Sequence, residues 1–187
     1  MSGFAVVTGG STGIGRHLVS AFAEAGYTVA FSYLGDEDAA ETLMDEIELS
    51  GGQALGVACD VGVGSDVDAF FDEVCSWYGD APDVLVNNAG IQTWGTLLEL
   101  SEDDWDDVIR TNMKGCVLNT QAAARRMGEV GKGGAIINIG SRCNTLAFPS
   151  PVSCTASKGA IDQFTKVSAV EPGPNGLRVT CVATGAT

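Results

Sequence analysis

The segment Thr8-Gly9-Gly10-Ser11-Thr12-Gly13-Ile14-Gly15 joins an apolar run, Phe4–Thr8, to an amphipathic stretch, Ile14–Ala25. Glycines in such a strand-to-helix turn allow a tight bend. They also let backbone amides approach a pyrophosphate at the helix N-terminus. Gly9, Gly13 and Gly15, with Ser11, Thr12 and Ile14 between them, therefore point to a dinucleotide. The plainer reading is a tight turn with no ligand. A P-loop would close on Gly-Lys-Ser/Thr, whereas this loop runs Gly13-Ile14-Gly15-Arg16. Other polar residues stand at the ends of apolar runs or inside helical stretches: Asp60-Val61, Asn88-Ala89-Gly90, Ser141, Asn112 and Lys158. Taken singly, each reads as a turn, loop or solvated residue. Asn112 is awkward within a helix, because its amide competes for backbone hydrogen bonds. Cys154 precedes Lys158 by one helical turn. A neighbouring ammonium depresses a thiol pKa, so a Cys154 thiolate paired with Lys158 stands beside the plainer reading of an inert buried thiol.

These residues need a frame, and the chain supplies one. Short apolar runs at Phe4–Thr8, Thr28–Tyr33, Ala54–Cys59, Asp83–Asn87, Ala135–Gly140 and Leu177–Ala183 are nearly continuous in Val, Ile, Leu and Ala. That pattern predicts strands buried on both faces. Between them lie helical stretches at Ile14–Ala25, Asp38–Ser50, Ser65–Tyr78, Glu102–Met127 (read as two helices) and Ser153–Val170. Alternation of this kind predicts an α/β fold, a Rossmann-type doubly wound parallel sheet with helices on both faces. No repeat, linker or low-complexity segment interrupts it, so residues 1–187 read as a single domain.

Taken together, the motifs resemble those of the short-chain dehydrogenase/reductase family, nearest the branch of glucose dehydrogenase and β-ketoacyl-carrier-protein reductase. Three residues separate Gly9 from Gly13, as in that family's glycine loop. Asn87-Asn88-Ala89-Gly90 matches the family's Asn-Asn-Ala-Gly. Asn112 falls in Arg110-Thr111-Asn112-Met113-Lys114-Gly115, the place of a helix-kinking Asn that holds a water. Ser141 ends Ile136-Ile137-Asn138-Ile139-Gly140-Ser141, the place of the catalytic Ser, and Lys158 takes the place of the catalytic Lys. The resemblance implies hydride transfer between NAD(P) and an alcohol or carbonyl, with a small-molecule substrate and a homo-oligomer. It implies Asn112, Ser141, Cys154 and Lys158 as the catalytic positions. It gives the cofactor Gly9, Ser11, Thr12, Gly13, Ile14, Gly15, Tyr33, Asp60, Val61, Asn88, Ala89, Gly90 and Lys158, with Asp60 reading the adenine.

The departures carry as much information. The family's acid/base Tyr stands four residues before the Lys, and here that residue is Cys154; no Tyr follows Tyr78. A thiol lies one bond beyond Cβ and falls several ångströms short of a phenol hydroxyl, whereas proton transfer needs contact at ~2.6–3.2 Å or one bridging water. Carbonyl reduction is therefore expected to be impaired, and a non-catalytic dinucleotide-binding relative or a degraded fragment is the alternative. Thr184-Gly185 replaces the usual Pro-Gly, Thr180 takes the place of an Asn, and relatives continue beyond Thr187 into a loop, a helix and a strand. A shortened end predicts an open edge at Leu177–Ala183 that self-associates. No carboxylate occupies residue 33 to repel a 2′-phosphate, and Ser32, Tyr33 and Arg16 tolerate one, which leans towards NADP and leaves NAD open.

Composition narrows the class further. Hydrophobic residues are 45% and charged residues 18% of the 187, so disorder is excluded. The balance of 10 basic against 24 acidic residues, net −14, disfavours nucleic acid and anionic membranes. The acid clusters in Asp36–Glu48, Asp66–Asp83 and Glu99–Asp107 read as solvated helix faces or as adaptation to a salty cytoplasm. Six Cys without a CxxC pair and one His give neither a zinc pattern nor a disulfide framework, which suits reduced thiols in a cytoplasmic protein. No apolar run reaches the ~18 residues of a membrane span, and no basic leader precedes Phe4.

Overall fold

The computed structural model describes residues 3–144, 146, 149, 151–171 and 176–185. Six strands form one sheet: β1 (Phe4–Val7), β2 (Thr28–Tyr33), β3 (Ala54–Ala58), β4 (Val84–Asn87), β5 (Gly134–Ser141) and β6 (Leu177–Thr184). Their order is β3-β2-β1-β4-β5-β6, and every pairing is parallel. Six α-helices connect them: α1 (Gly13–Glu24), α2 (Glu37–Leu49), α3 (Gly64–Tyr78), α4 (Glu102–Val108), α5 (Gly115–Val130) and α6 (Val152–Val170). Each predicted element is present, with boundaries displaced by at most a residue, except that α5 runs three residues past Met127 to Val130. The chain winds outward from β1 to β3, then returns to the other side of β1 as β4. A doubly wound sheet binds its ligand at this reversal, beyond the strand carboxyl ends.

Alternation along the central strands feeds two cores. Phe4 and Val6 of β1 and Leu85 of β4 pack with Val67, Phe70 and Phe71 of α3 and Met127 of α5. Val7 and Val86 point the other way, to Val19 of α1 and Leu43 and Ile47 of α2. Full burial of one such side chain stabilises by about 1.5–3 kcal/mol. The outer strands correct the expectation of burial on both faces. β3 is only half-buried, and β6 alternates, with Leu177 and Val179 inward but Val182 48% exposed. Both lie at the ends of the strand order and have one neighbour each among the described residues.

The acidic stretches lie on helix surfaces, where carboxylates in first turns complement the helix dipole: Glu37 and Asp38 in α2, and Glu102 to Asp104 in α4. Ser101 caps α4 by accepting from the Asp104 amide at 3.1 Å. The long stretch Glu102–Met127 does divide in two, but not by a kink. A π-helical turn, Ile109–Lys114, joins α4 to α5 and contains Asn112. Such widened turns concentrate at functional sites.

Candidate active site

The glycine loop is locked against both sides of the reversal point. Gly9 and Gly13 adopt φ of 63° and 54°, the left-handed region that glycine enters without strain. A Cβ at Gly15 would come within 2.0 Å of the Gly9 carbonyl oxygen and 2.6 Å of Asn88 Nδ2, so the close approach requires glycine. Asn88 Nδ2 donates to the carbonyls of Thr8 and Gly9, both at 3.0 Å. The amides of Asn88 and Ala89 donate to Thr8 Oγ1, also at 3.0 Å. On the other flank the Gly9 amide donates to Ser32 Oγ at 3.1 Å. Thr12 and Gly13 are exposed, Ile14 is half-buried, and no side chain caps the start of α1. No acidic residue enters its first turn. The first amides of a helix lack intrahelical partners, so this end suits a phosphate.

Two groups expected to tolerate a 2′-phosphate are engaged elsewhere. Ser32 is buried and holds Gly9. Arg16 donates to the Ala39 carbonyl and pairs with Glu46 at 2.6 Å, on the α2 side. Tyr33 ends β2, half-buried; burial, with Glu37 and Glu41 nearby, pushes its phenol above the ordinary value.

Asp60 follows β3 and is held at both oxygens. The Gly62 amide donates to Oδ1 at 2.9 Å and Arg110 Nη1 to Oδ2 at 2.7 Å. Burial raises the carboxyl pKa, but the Arg110 and Gly62 hydrogen bonds and the positive charges of Arg110 and Lys114 together bring it below the usual carboxylate range. Val61 is buried and lies against Gly115 at the start of α5, where a Cβ would approach Val61 Cγ2 at 2.9 Å.

Asn112 turns its amide out of the π-helical turn into the wall of the site. Its Oδ1 accepts from the Ile91 amide at 2.8 Å, and its Nδ2 donates to the Ile91 carbonyl at 3.0 Å and to Ser157 Oγ at 3.1 Å. Ser157 Oγ donates in turn to the Cys154 carbonyl at 2.7 Å. Lys158 Nζ donates to the Ile139 carbonyl at 2.7 Å, and burial lowers its pKa. Between these groups lies a cavity of about 10 Å³ lined by Thr8, Asn87, Asn112, Cys116 and Lys158 among others. That is room for about one water. Asn87 Oδ1 is buried without a protein partner, which supplies an acceptor for it.

Ser141 ends β5 and accepts from the Cys143 amide at 3.2 Å, leaving its hydroxyl proton free to donate elsewhere. Cys154 lies half-buried at the start of α6. Burial raises its thiol pKa; Lys158 lowers it, but not enough to reverse the direction. Desolvation outweighs the cation one turn away, which favours the inert buried thiol over the thiolate paired with Lys158.

The structure brings the residues read from the sequence to one end of the sheet, at the carboxyl ends of β1 to β5. It also adds residues that were not singled out. Asn87 Nδ2 donates to Thr120 Oγ1 at 2.9 Å and to Asn138 Oδ1 at 2.8 Å. Asn138 Nδ2 donates to Thr165 Oγ1 at 2.9 Å, and Thr165 donates to the Ile161 carbonyl at 2.7 Å. This buried chain ties α5, β4 and β5 to α6, the helix that carries Cys154 and Lys158. The available signal was two asparagines inside apolar strand runs, where a polar side chain must find buried partners.

Residues 3–187 match the family model described as short chain dehydrogenase. A 3-oxoacyl-[acyl-carrier-protein] reductase FabG of Staphylococcus epidermidis is 38% identical over 185 residues, 99% of this chain and 75% of the relative. A D-threitol dehydrogenase of Mycolicibacterium smegmatis is 38% identical over 179 residues, 96% of this chain and 68% of the relative. Among solved structures, a short-chain type dehydrogenase/reductase from Mycobacterium marinum superposes with TM-score 0.92 at 36% identity, covering 97% of this chain and 71% of the other. A mutant short-chain dehydrogenase/reductase of Serratia marcescens gives TM-score 0.91 at 34% identity, with coverage of 97% and 73%. On sequence and on fold alike, the chain belongs to the short-chain dehydrogenase/reductase family.

Proposed function

We propose that this chain is a single NAD(P)-binding unit that takes part in hydride transfer to a carbonyl, or from an alcohol, with the proton-transfer step impaired. One observation supports the binding half: a glycine loop that turns through positive φ at Gly9 and Gly13 and packs on backbone at Gly9 and Gly15, at the uncapped start of α1 and fixed by Asn88. The residues therefore fit a dinucleotide pyrophosphate. Thr12 and Ile14 would border it, and the Asp60 carboxylate, beside Val61, would accept from the adenine amino group. Ala89 and Gly90 flank the nicotinamide side. Tyr33 would stand at the ribose end, and residue 33 not being itself a carboxylate leans the preference to NADP over NAD, although Glu37 and Glu41 lie nearby.

When bound, the reduced nicotinamide supplies a hydride to the substrate carbon. Ser141 Oγ donates a hydrogen bond to the substrate oxygen. Lys158 would hold the nicotinamide ribose, and Asn112 fixes the wall of the one-water cavity. The substrate oxygen must gain a proton as its carbon gains hydride. Cys154 stands where the family resemblance places a Tyr; its thiol is short, and burial pushes its pKa up. Losing a positioned acid/base costs about 10²–10⁴-fold in rate. That observation also favours a second reading, a dinucleotide-binding relative without catalysis. The substrate class is a small alcohol or carbonyl; the relative's printed substrate, a 3-oxoacyl carrier-protein thioester, is the first to try. A homo-oligomer in the cytoplasm completes the reading.

The test is fluorescence titration with NADH and NADPH, followed by carbonyl reduction over a panel of ketones and 3-oxoacyl thioesters. Saturable binding with near-background reduction is expected. No saturable signal at millimolar concentration of either cofactor overturns the binding reading.

A further inference from the structure

Arg110 reaches from the π-helical turn to a carboxylate fifty residues earlier in the chain. Its Nη1 lies 2.7 Å from Asp60 Oδ2, while Nη2 lies 3.6 Å from Asp107 Oδ1 on the preceding turn. The place for it is built by Gly62: a Cβ there would sit 2.7 Å from Arg110 Nη1 and 2.9 Å from its Cγ. The Gly62 amide meanwhile fixes the other carboxylate oxygen, Oδ1, at 2.9 Å. With both oxygens held, the carboxylate cannot rotate, yet each keeps lone-pair capacity for another donor. An ionised carboxylate only accepts. In this orientation it welcomes a ligand N–H and repels a ligand carbonyl oxygen. Arg110 is also two residues from Asn112, so the same turn reaches Ile91 and Ser157.

We propose that Arg110 is a positioning residue that holds Asp60 so that its carboxylate selects the amino group of adenine against the carbonyl oxygen of hypoxanthine. This rests on the dinucleotide reading above. Arg110 acts through Asp60 and does not itself touch the base. A surface ion pair with no such role would contribute little to anything measured, and base selectivity separates the two cases.

The experiment titrates NADH and its reduced hypoxanthine analogue into the wild type and into Arg110→Met, Arg110→Lys, Gly62→Ala and Asp60→Asn. The wild type is expected to prefer NADH by about tenfold or more, the scale of one hydrogen bond to a charged group. Arg110→Met brings the ratio towards one, and Arg110→Lys restores much of it. Gly62→Ala, which displaces the guanidinium while leaving it in the chain, also lowers the ratio, so the test survives if Arg110→Met fails to fold. In the Asp60→Asn background Arg110→Met changes the ratio no further. An unchanged ratio in folded Arg110→Met or Gly62→Ala overturns the proposal. Equal binding of both cofactors by the wild type also overturns it, while the dinucleotide reading stands. Binding of neither by the wild type removes the dinucleotide reading and this proposal with it.

Discussion

The two halves of the site are held by different means. Around β1, β2 and β4 the loop geometry rests on backbone groups gripped by two side chains: Asn88 Nδ2 donates to the carbonyls of Thr8 and Gly9, and Thr8 Oγ1 accepts from the amides of Asn88 and Ala89, with glycines where no side chain fits. Around β5 and α6 it rests on side chains projecting from a helix: Cys154, Ser157 and Lys158, positioned by Asn112 and by the buried Asn87–Asn138–Thr165 chain. Such a cradle tolerates no added side chain at Gly9 or Gly15 and depends on the Thr8, Ser32 and Asn88 side chains that grip its backbone. A helix-borne reaction site keeps its geometry when one side chain changes, yet can lose its chemistry. Under the proposed function, that contrast would let one chain keep a binding half beside a reaction half in which Cys154 replaces the family's Tyr.

The binding half should break most severely. Gly15→Ala forces a Cβ against the Gly9 carbonyl. Overpacking of this kind costs about 1–3 kcal/mol or more. A large loss of melting temperature together with loss of cofactor titration is expected; a variant that binds NAD(P)H normally would show that the loop is looser than described. Next in size is Asn87→Ala, which strips Asn138 and Thr120 of a buried partner. About 1–3 kcal/mol should be lost, or roughly 2–4 °C per kcal/mol for a chain of this length. Thermal melting checks it, and a loss no larger than that at an exposed control position would mean that water replaces the amide.

Much of the binding half was legible in the sequence, because its demands fall on residue types. Only glycine satisfies Gly9, Gly13 and Gly15, and a glycine cluster between a strand and a helix is readable. Ser141 and Lys158 were legible only as a set, since either alone reads as a strand-end or solvated residue. The partnerships were not legible. Nothing local links Arg110 to Asp60, or Asn87 to Thr120 and Asn138, because the sheet order brings them together. The π-helical turn at Asn112 was read as a kink: the sequence shows an Asn that disturbs a helix, whereas its partners Ile91 and Ser157 are set by the tertiary fold. Spacing alone left both readings of Cys154 open, because it shows the cation and not the burial that opposes it.

Smaller effects sharpen the electrostatic side. Asp60 is held below its ordinary pKa, so its carboxylate stabilises the fold in full above about pH 4, the unfolded value, and less as pH falls through the lowered native value. The wild type should therefore lose its advantage over Asp60→Asn on acidification, as read by denaturant melts across pH 2–6; a constant difference would detach Asp60 from Arg110. Smallest is a general salt response. With a net charge of −14, the melting temperature should rise from low salt to molar KCl as repulsion between exposed charges is screened, and a flat profile would remove any link between the acidity and a salty cytoplasm.

The most direct measurement compares the wild type with Cys154→Tyr, recording NAD(P)H affinity and carbonyl turnover on the same preparations. Affinity should stay within a few-fold, because the cradle is untouched. Turnover should rise by about 10²–10⁴-fold as a phenol reaches the substrate oxygen beside Lys158. Wild-type turnover already on the order of 10 s⁻¹, the ordinary enzyme range, or a Cys154→Tyr variant that binds cofactor yet reduces no faster than the wild type, would contradict the account.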